Sequence, residues 1–236
     1  MADIYPISGA AEWINDSSEH YLYFASGTYL YRKPLPGASD WSDVESFGSL
    51  EDVDWHTMKV ADGALMICNG SMLAMVGWDE SYTTEAVVVY PDELTKTIIE
   101  RQNLVVIGTY KNNSSEKGAL YTWEQSALNF IQRKEIPSGA INGIVDTELT
   151  LMQAGDKGGI FYSDLINSVA ITAIPGEGEV NPGGVDVDDG LGLFGMFGGD
   201  NPGVYSLGRN RKNAPFVLNL DYPLDCDEIG AVCLTY

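Results

Sequence analysis

Five carboxylates fall at matching points of a repeating pattern: Glu12, Asp54, Glu100, Asp146 and Asp188. Each lies at or beside the first strand expected in its unit, so a ring of units would turn them toward one axis. Carboxylates placed that way can hydrolyse a glycoside, one as acid and the other as base or nucleophile. They can also simply line a wet channel, and no hydrolase motif surrounds them. Asp186 and Asp188 belong to Asp186-Val187-Asp188-Asp189-Gly190, a cluster suited to a hard cation. An EF-hand loop would add a glutamate at its twelfth position and flanking helices, and neither is present.

Two further groups could carry chemistry. His56 stands between Trp55 and Thr57, but no nucleophile accompanies it. Arg209, Arg211 and Lys212 make the one dense basic run, able to grip a phosphate or carboxylate. In the repeat that run is a turn between third and fourth strands. A solvated turn is the preferred reading, with contact to an acidic neighbouring copy second. A literal GxGxxG spans 190–195, yet a dinucleotide site needs a helix after it, and the segment reads as a strand. No catalytic set assembles, and no cofactor or metal is expected.

The elements that must hold these residues are marked twice in each unit. A glycine opens an aromatic-rich strand at Gly27, Gly118, Gly159 and Gly203, with a weaker copy after Gly70. A proline closes the next strand at Pro6, Pro91, Pro137, Pro175 and Pro223. The cassette is clearest over 148–176, which reads as three strands. Both marks share a period of roughly 40–50 residues, the size of a four-stranded propeller blade. Asp62-Gly63, Gln102-Asn103, Asp146-Thr147 and Asp189-Gly190 are the expected turns between first and second strands, where Asp-Gly suits a two-residue hairpin.

The expectation is an all-β chain forming one β-propeller of five four-stranded blades, over about 8–50, 51–94, 95–139, 140–180 and 181–224. A further strand over 227–236 closes the ring or begins another blade. No helix is expected.

A net charge of −21 opposes nonspecific binding to nucleic acid or anionic membrane. The hydrophobic fraction of 44% is that of a globular protein. The three cysteines form no CxxC pair and no framework, which suits a reducing compartment. No apolar run approaches a membrane span, and the first residues do not read as a signal peptide. A cytoplasmic or virion location is expected on those grounds.

The segment 206–233, SLGRNRKNAPFVLNLDYPLDCDEIGAVC, resembles propeller regions of tailed-bacteriophage virion proteins in the style of its blade boundaries. The resemblance implies a structural or interaction module in a particle or tail, with other protein subunits, copies of itself or virion proteins as partners. The alternative is a carbohydrate-binding or glycoside-hydrolysing propeller that uses the channel acids.

Overall fold

Alternating apolar residues between tight turns give each unit one outcome, an antiparallel sheet. The computed structural model describes residues 5–111, 117–125, 130, 132–147, 151–163, 168–176, 178–180, 184–188, 192–208 and 217–224. They form five four-stranded sheets. The first blade is β1 (Ile7–Ile14), β2 (His20–Ser26), β3 (Tyr29–Leu35) and β4 (Glu45–Ser49). The second is β5 (Met58–Ala61), β6 (Ala64–Asn69), β7 (Met72–Val76) and β8 (Tyr82–Val88). The third is β9 (Glu93–Arg101), β10 (Leu104–Lys111), β11 (Ala119–Trp123) and β12 (Gln132–Glu135). The fourth is β13 (Ile141–Asp146), β14 (Leu151–Gly155), β15 (Gly159–Ser163) and β16 (Ser168–Ala173). The fifth is β17 (Val185–Asp188), β18 (Gly192–Phe197), β19 (Gly203–Gly208) and β20 (Val217–Pro223).

Every blade runs in chain order from an inner first strand to an outer fourth. The inner strands lie side by side as β1, β5, β9, β13 and β17. Among the described residues β17 and β1 do not meet as the other inner neighbours do. The expected closing strand 227–236 lies outside the described residues.

One backbone hydrogen bond recurs at the closing of every blade. The N–H of Leu50, Val89, Ile136, Ile174 and Leu224 donates to the carbonyl of Thr28, Ser71, Gly118, Gly158 and Pro202 respectively. The same bond therefore ties the end of each outer strand to the start of the third. The first four donors are also buried apolar residues, so the chain leaves its blade with a side chain wedged inward. Pro137 and Pro175 follow their donors directly and Pro91 follows two residues on, where no ladder N–H is needed. Pro223 precedes its donor, and no proline follows Leu50. The first hairpins behave as their residues require, with positive φ at Asp62 (48°), Gly63 (71°), Gln102 (52°) and Asn103 (62°). Asp189-Gly190 lies outside the described residues.

Four apolar clusters fill the spaces between successive blades. Trp13, Tyr23 and Leu30 meet Leu65, Ile67 and Val76 between the first and second. Met66, Leu73 and Val87 meet Ile107, Tyr121 and Trp123 between the second and third. Val106, Leu120 and Ile136 meet Ile144, Leu151 and Phe161 next. Met152, Ile160 and Ile174 meet Leu193, Phe197 and Leu207 last. Each blade is thus stable only through its neighbours, which is the logic of a repeat fold.

Two strands are shorter than their sequence pattern suggests. The apolar and aromatic pattern of a fourth strand runs over 41–47, but β4 begins only at Glu45, and Trp41 sits in a turn with φ of 63°. A carboxylate dictates that turn: Asp43 accepts the Ala38 N–H at 2.6 Å and Lys33 Nζ at 2.7 Å. The pattern of a first strand runs over 54–60, but β5 begins at Met58, because the preceding residues are held in a loop by His56. The GxGxxG segment is β-strand from Gly192 onward. A Cβ at Gly192 would lie 2.3 Å from the Leu207 carbonyl oxygen, so its glycine serves close strand packing. Among the described residues the one helical segment is a 3-10 turn, Asp156–Gly158. No helix among them is long and apolar enough to cross a membrane.

Candidate functional site

The inner strands all start at one end of their row and finish at the other, and this divides the five expected acids. Asp54 precedes β5 and lies at the starting end. Glu12, Glu100, Asp146 and Asp188 lie toward the finishing ends of β1, β9, β13 and β17. They do not form a single ring.

At the finishing end, polar groups bridge blade to blade. Glu12 is exposed, 3.2 Å from His20 of its own blade. Glu100 accepts the Asp62 N–H at 3.0 Å. Asp146 pairs with Arg101 of the third blade. Burial nevertheless raises the Asp146 pKa, outweighing the attraction of Arg101. Arg32 of the first blade reaches Glu80 of the second at 2.6 Å, lying over the rings of Tyr21 and Phe47. Asp186 accepts the N–H of Val187 at 2.8 Å. Glu80, Glu100 and Asp146 are committed to neighbouring blades, as a structural role requires. Arg209, Arg211 and Lys212 lie outside the described residues. Among the described residues no cluster of His, Cys, Asp and Glu is placed to hold a metal.

The starting end carries a continuous polar belt. His56 is fully buried, with Nδ1 2.7 Å from Ser8 Oγ of the first blade and Nε2 3.1 Å from the Glu51 carbonyl oxygen. Thr57 next donates to the Lys96 carbonyl at 2.7 Å, joining the second blade to the third. Tyr110 of β10 bridges to Ala140, which leads into the fourth blade. There Ser138 bonds to Asp156. The Lys157 N–H donates to Glu179 at 3.1 Å, on the segment leading to the fifth.

Lys96 is a cation of this belt. Its Nζ lies 5.1 Å from the centre of the Tyr110 ring. Burial lowers its pKa below the ordinary lysine value, while Glu179 and Asp156 pull it back upward. Burial likewise raises the Tyr110 phenol, with the Asp54 charge adding to it. Among the described residues, Glu51, Asp52, Asp54, Asp156 and Glu179 are carboxylates of this end, against Lys96, Lys111 and Lys157. The mouth is therefore acidic on balance, with Lys96 half-buried in it. Of the residues expected from sequence it brings together Asp54 and His56. Lys96 carried a readable signal, a lysine between two threonines in a first strand whose apolar residues are Leu94, Ile98 and Ile99. Asp156 and Glu179 carried none, because both sit in turns where acids are ordinary.

His56 makes stability pH-dependent in a predictable direction. Desolvation lowers its folded-state pKa, and the hydrogen bond to the Glu51 carbonyl and the nearby Asp52 charge offset this only in part. The unfolded chain takes up the proton near its ordinary value of about 6.5. The folded chain does so only at lower pH. Stability supplied by neutral His56 is thus intact above about pH 6.5 and is lost as pH falls below it. Urea unfolding at pH 8 and pH 5.5 should show a smaller difference for His56→Gln than for the natural chain. Equal differences would mean that His56 does not titrate as described.

No protein-family model matches the sequence, and no curated protein does. Solved structures do match. The β-propeller domain of Swd1 from Myceliophteria thermophila aligns with a TM-score of 0.59 at 15% identity, over 91% of this chain and 72% of that one. The fold is a β-propeller fold. A chain of the mitotic checkpoint complex aligns at 0.52 and 14% identity, over 70% of this chain and 52% of that one. The extracellular domain of a hybrid two-component system protein from B. thetaiotaomicron aligns at 0.62 and 11% identity, over 94% and 28%. The propeller spans about half and about a quarter of the last two chains. None of the three is a virion protein, so the blade style expected from 206–233 has propeller counterparts but no virion counterpart among them.

Proposed function

We propose that this propeller is a protein-interaction module whose acidic mouth, at the starting ends of the inner strands, receives a basic segment of a partner. The observation that carries the reading is the imbalance, among the described residues, of Glu51, Asp52, Asp54, Asp156 and Glu179 against Lys96, Lys111 and Lys157 along one continuous belt. Low-dielectric walls on either side of such a mouth focus its field and favour a cationic partner. Glycoside hydrolysis is less well supported, because the acids it would use are divided between two ends, and Glu100 and Asp146 each engage the neighbouring blade.

Anisotropy of a fluorescein-labelled peptide of alternating arginine and glycine tests the reading. A chain this acidic attracts cations everywhere, so the comparison must be between ends of equal charge change. Neutralising Asp54→Asn with Glu179→Gln should weaken binding about tenfold, and Glu12→Gln with Asp16→Asn less than about twofold. Lys96→Met should strengthen it. Equal losses from the two pairs would reject the mouth as the site.

A further inference from the structure

We propose that a groove on the outer rim, between the second and third blades, docks an extended segment of a partner polypeptide through one large apolar side chain. This goes beyond the mouth: β8 and β12, the outermost strands, build the groove, whereas inner-strand starts build the mouth. A cavity of about 450 Å³ opens there between Val88, Tyr90 and Pro91 on one side and Phe130 and Arg133 on the other. Val88 is 51% exposed and Tyr90 56% exposed, so the lip is apolar and wet. The volume lies within the range of ligand sites and suits a leucine or aromatic side chain with its backbone.

The floor specifies what else can enter. Glu93 is 0% exposed and pairs with Arg133. Arg133 also donates to the Tyr121 oxygen at 3.0 Å and to Glu135 at 3.1 Å. Its guanidinium lies 5.0 Å from the Tyr90 ring centre and 5.7 Å from that of Tyr121, while Phe130 packs on Tyr121 at 4.3 Å. The guanidinium is held rigidly, with three of its five N–H donors engaged. Two carboxylates already balance its charge, so a phosphate or free carboxylate gains little there. A neutral acceptor does better, and a peptide carbonyl beside an apolar anchor is one. Glu135 is spent on Arg133, but Glu85 and Asp92 are exposed beside the β8 lip, so the residue of the segment on that side of the anchor should be basic.

Selection from a random linear-peptide display library, followed by anisotropy of the enriched peptides, tests this. The expected peptides carry a large apolar residue with lysine or arginine on one side. Val88→Asp and Tyr90→Ser, both on exposed positions, should each weaken them about tenfold or more. Asp54→Asn with Glu179→Gln should leave them unchanged, which separates this surface from the mouth. Failure to enrich such peptides overturns the proposal, and so does unchanged binding to both groove variants. A dimer on a sizing column that Val88→Asp dissolves would overturn it in favour of a second copy.

Discussion

Arg133→Ala should destabilise the protein by about 3–5 kcal/mol, because it strands a buried carboxylate without its counter-charge. Glu93 has no water to turn to, being fully buried at the start of β9. Without Arg133, its side-chain partners among the described residues are the hydroxyls of Tyr121 and of Thr109, the latter at 3.2 Å. Burial raises the Tyr121 phenol pKa and the Glu93 hydrogen bond raises it further, so that proton stays on oxygen and cannot replace the lost cation. In a chain of this length the melting temperature should fall by roughly 6–20 °C. Adding Glu93→Gln removes the stranded charge and should recover part of the loss. If the single variant costs less than about 1 kcal/mol, water reaches Glu93 and the pair is an ordinary surface bridge.

Phe197→Ala should cost a similar amount, about 3–5 kcal/mol, but in a confined place. Phe197 is fully buried between the fourth and fifth blades, edge-on to Tyr205 at 6.0 Å. Its partners Met152, Ile160 and Ile174 all belong to the fourth blade. Since blades share cores only with neighbours, the cavity loosens one junction rather than the whole stack. Hydrogen exchange should rise across β17–β20 while β5–β11 keep their protection. A uniform rise would show that the blades melt as one unit.

The blade count was legible because the blades share two devices. Glycines such as Gly27 and Gly70 take positive φ at the turn into the third strand, and a residue within two positions of Pro91, Pro137, Pro175 and Pro223 makes the repeated hydrogen bond, with Leu50 making it in the first blade. Strand edges were less legible where a side chain competes with the ladder. Asp43 does so ahead of β4, and His56 ahead of β5. The site was hidden for a different reason. Repetition placed Glu12, Asp54 and Asp146 in one column of the sequence, but a column says nothing about which end of an inner strand a residue occupies. Lys96 and Glu179 come from different blades and different parts of the repeat, so nothing in the sequence aligned them.

The four junctions differ in chemistry, and this makes the blades non-interchangeable. Arg32 reaches Glu80 beneath an aromatic layer at the first, and Trp123 dominates the second. Gln153, fully buried, enters the third, and Phe197 fills the fourth. Sheets of one architecture therefore act as keyed parts, each carrying the address of the next. Shuffling their order would keep every sheet's internal pairing and still present each with a surface it does not match. Natural duplication of such a chain has to copy junctions together with blades, so growth proceeds by pairs of faces rather than by single sheets.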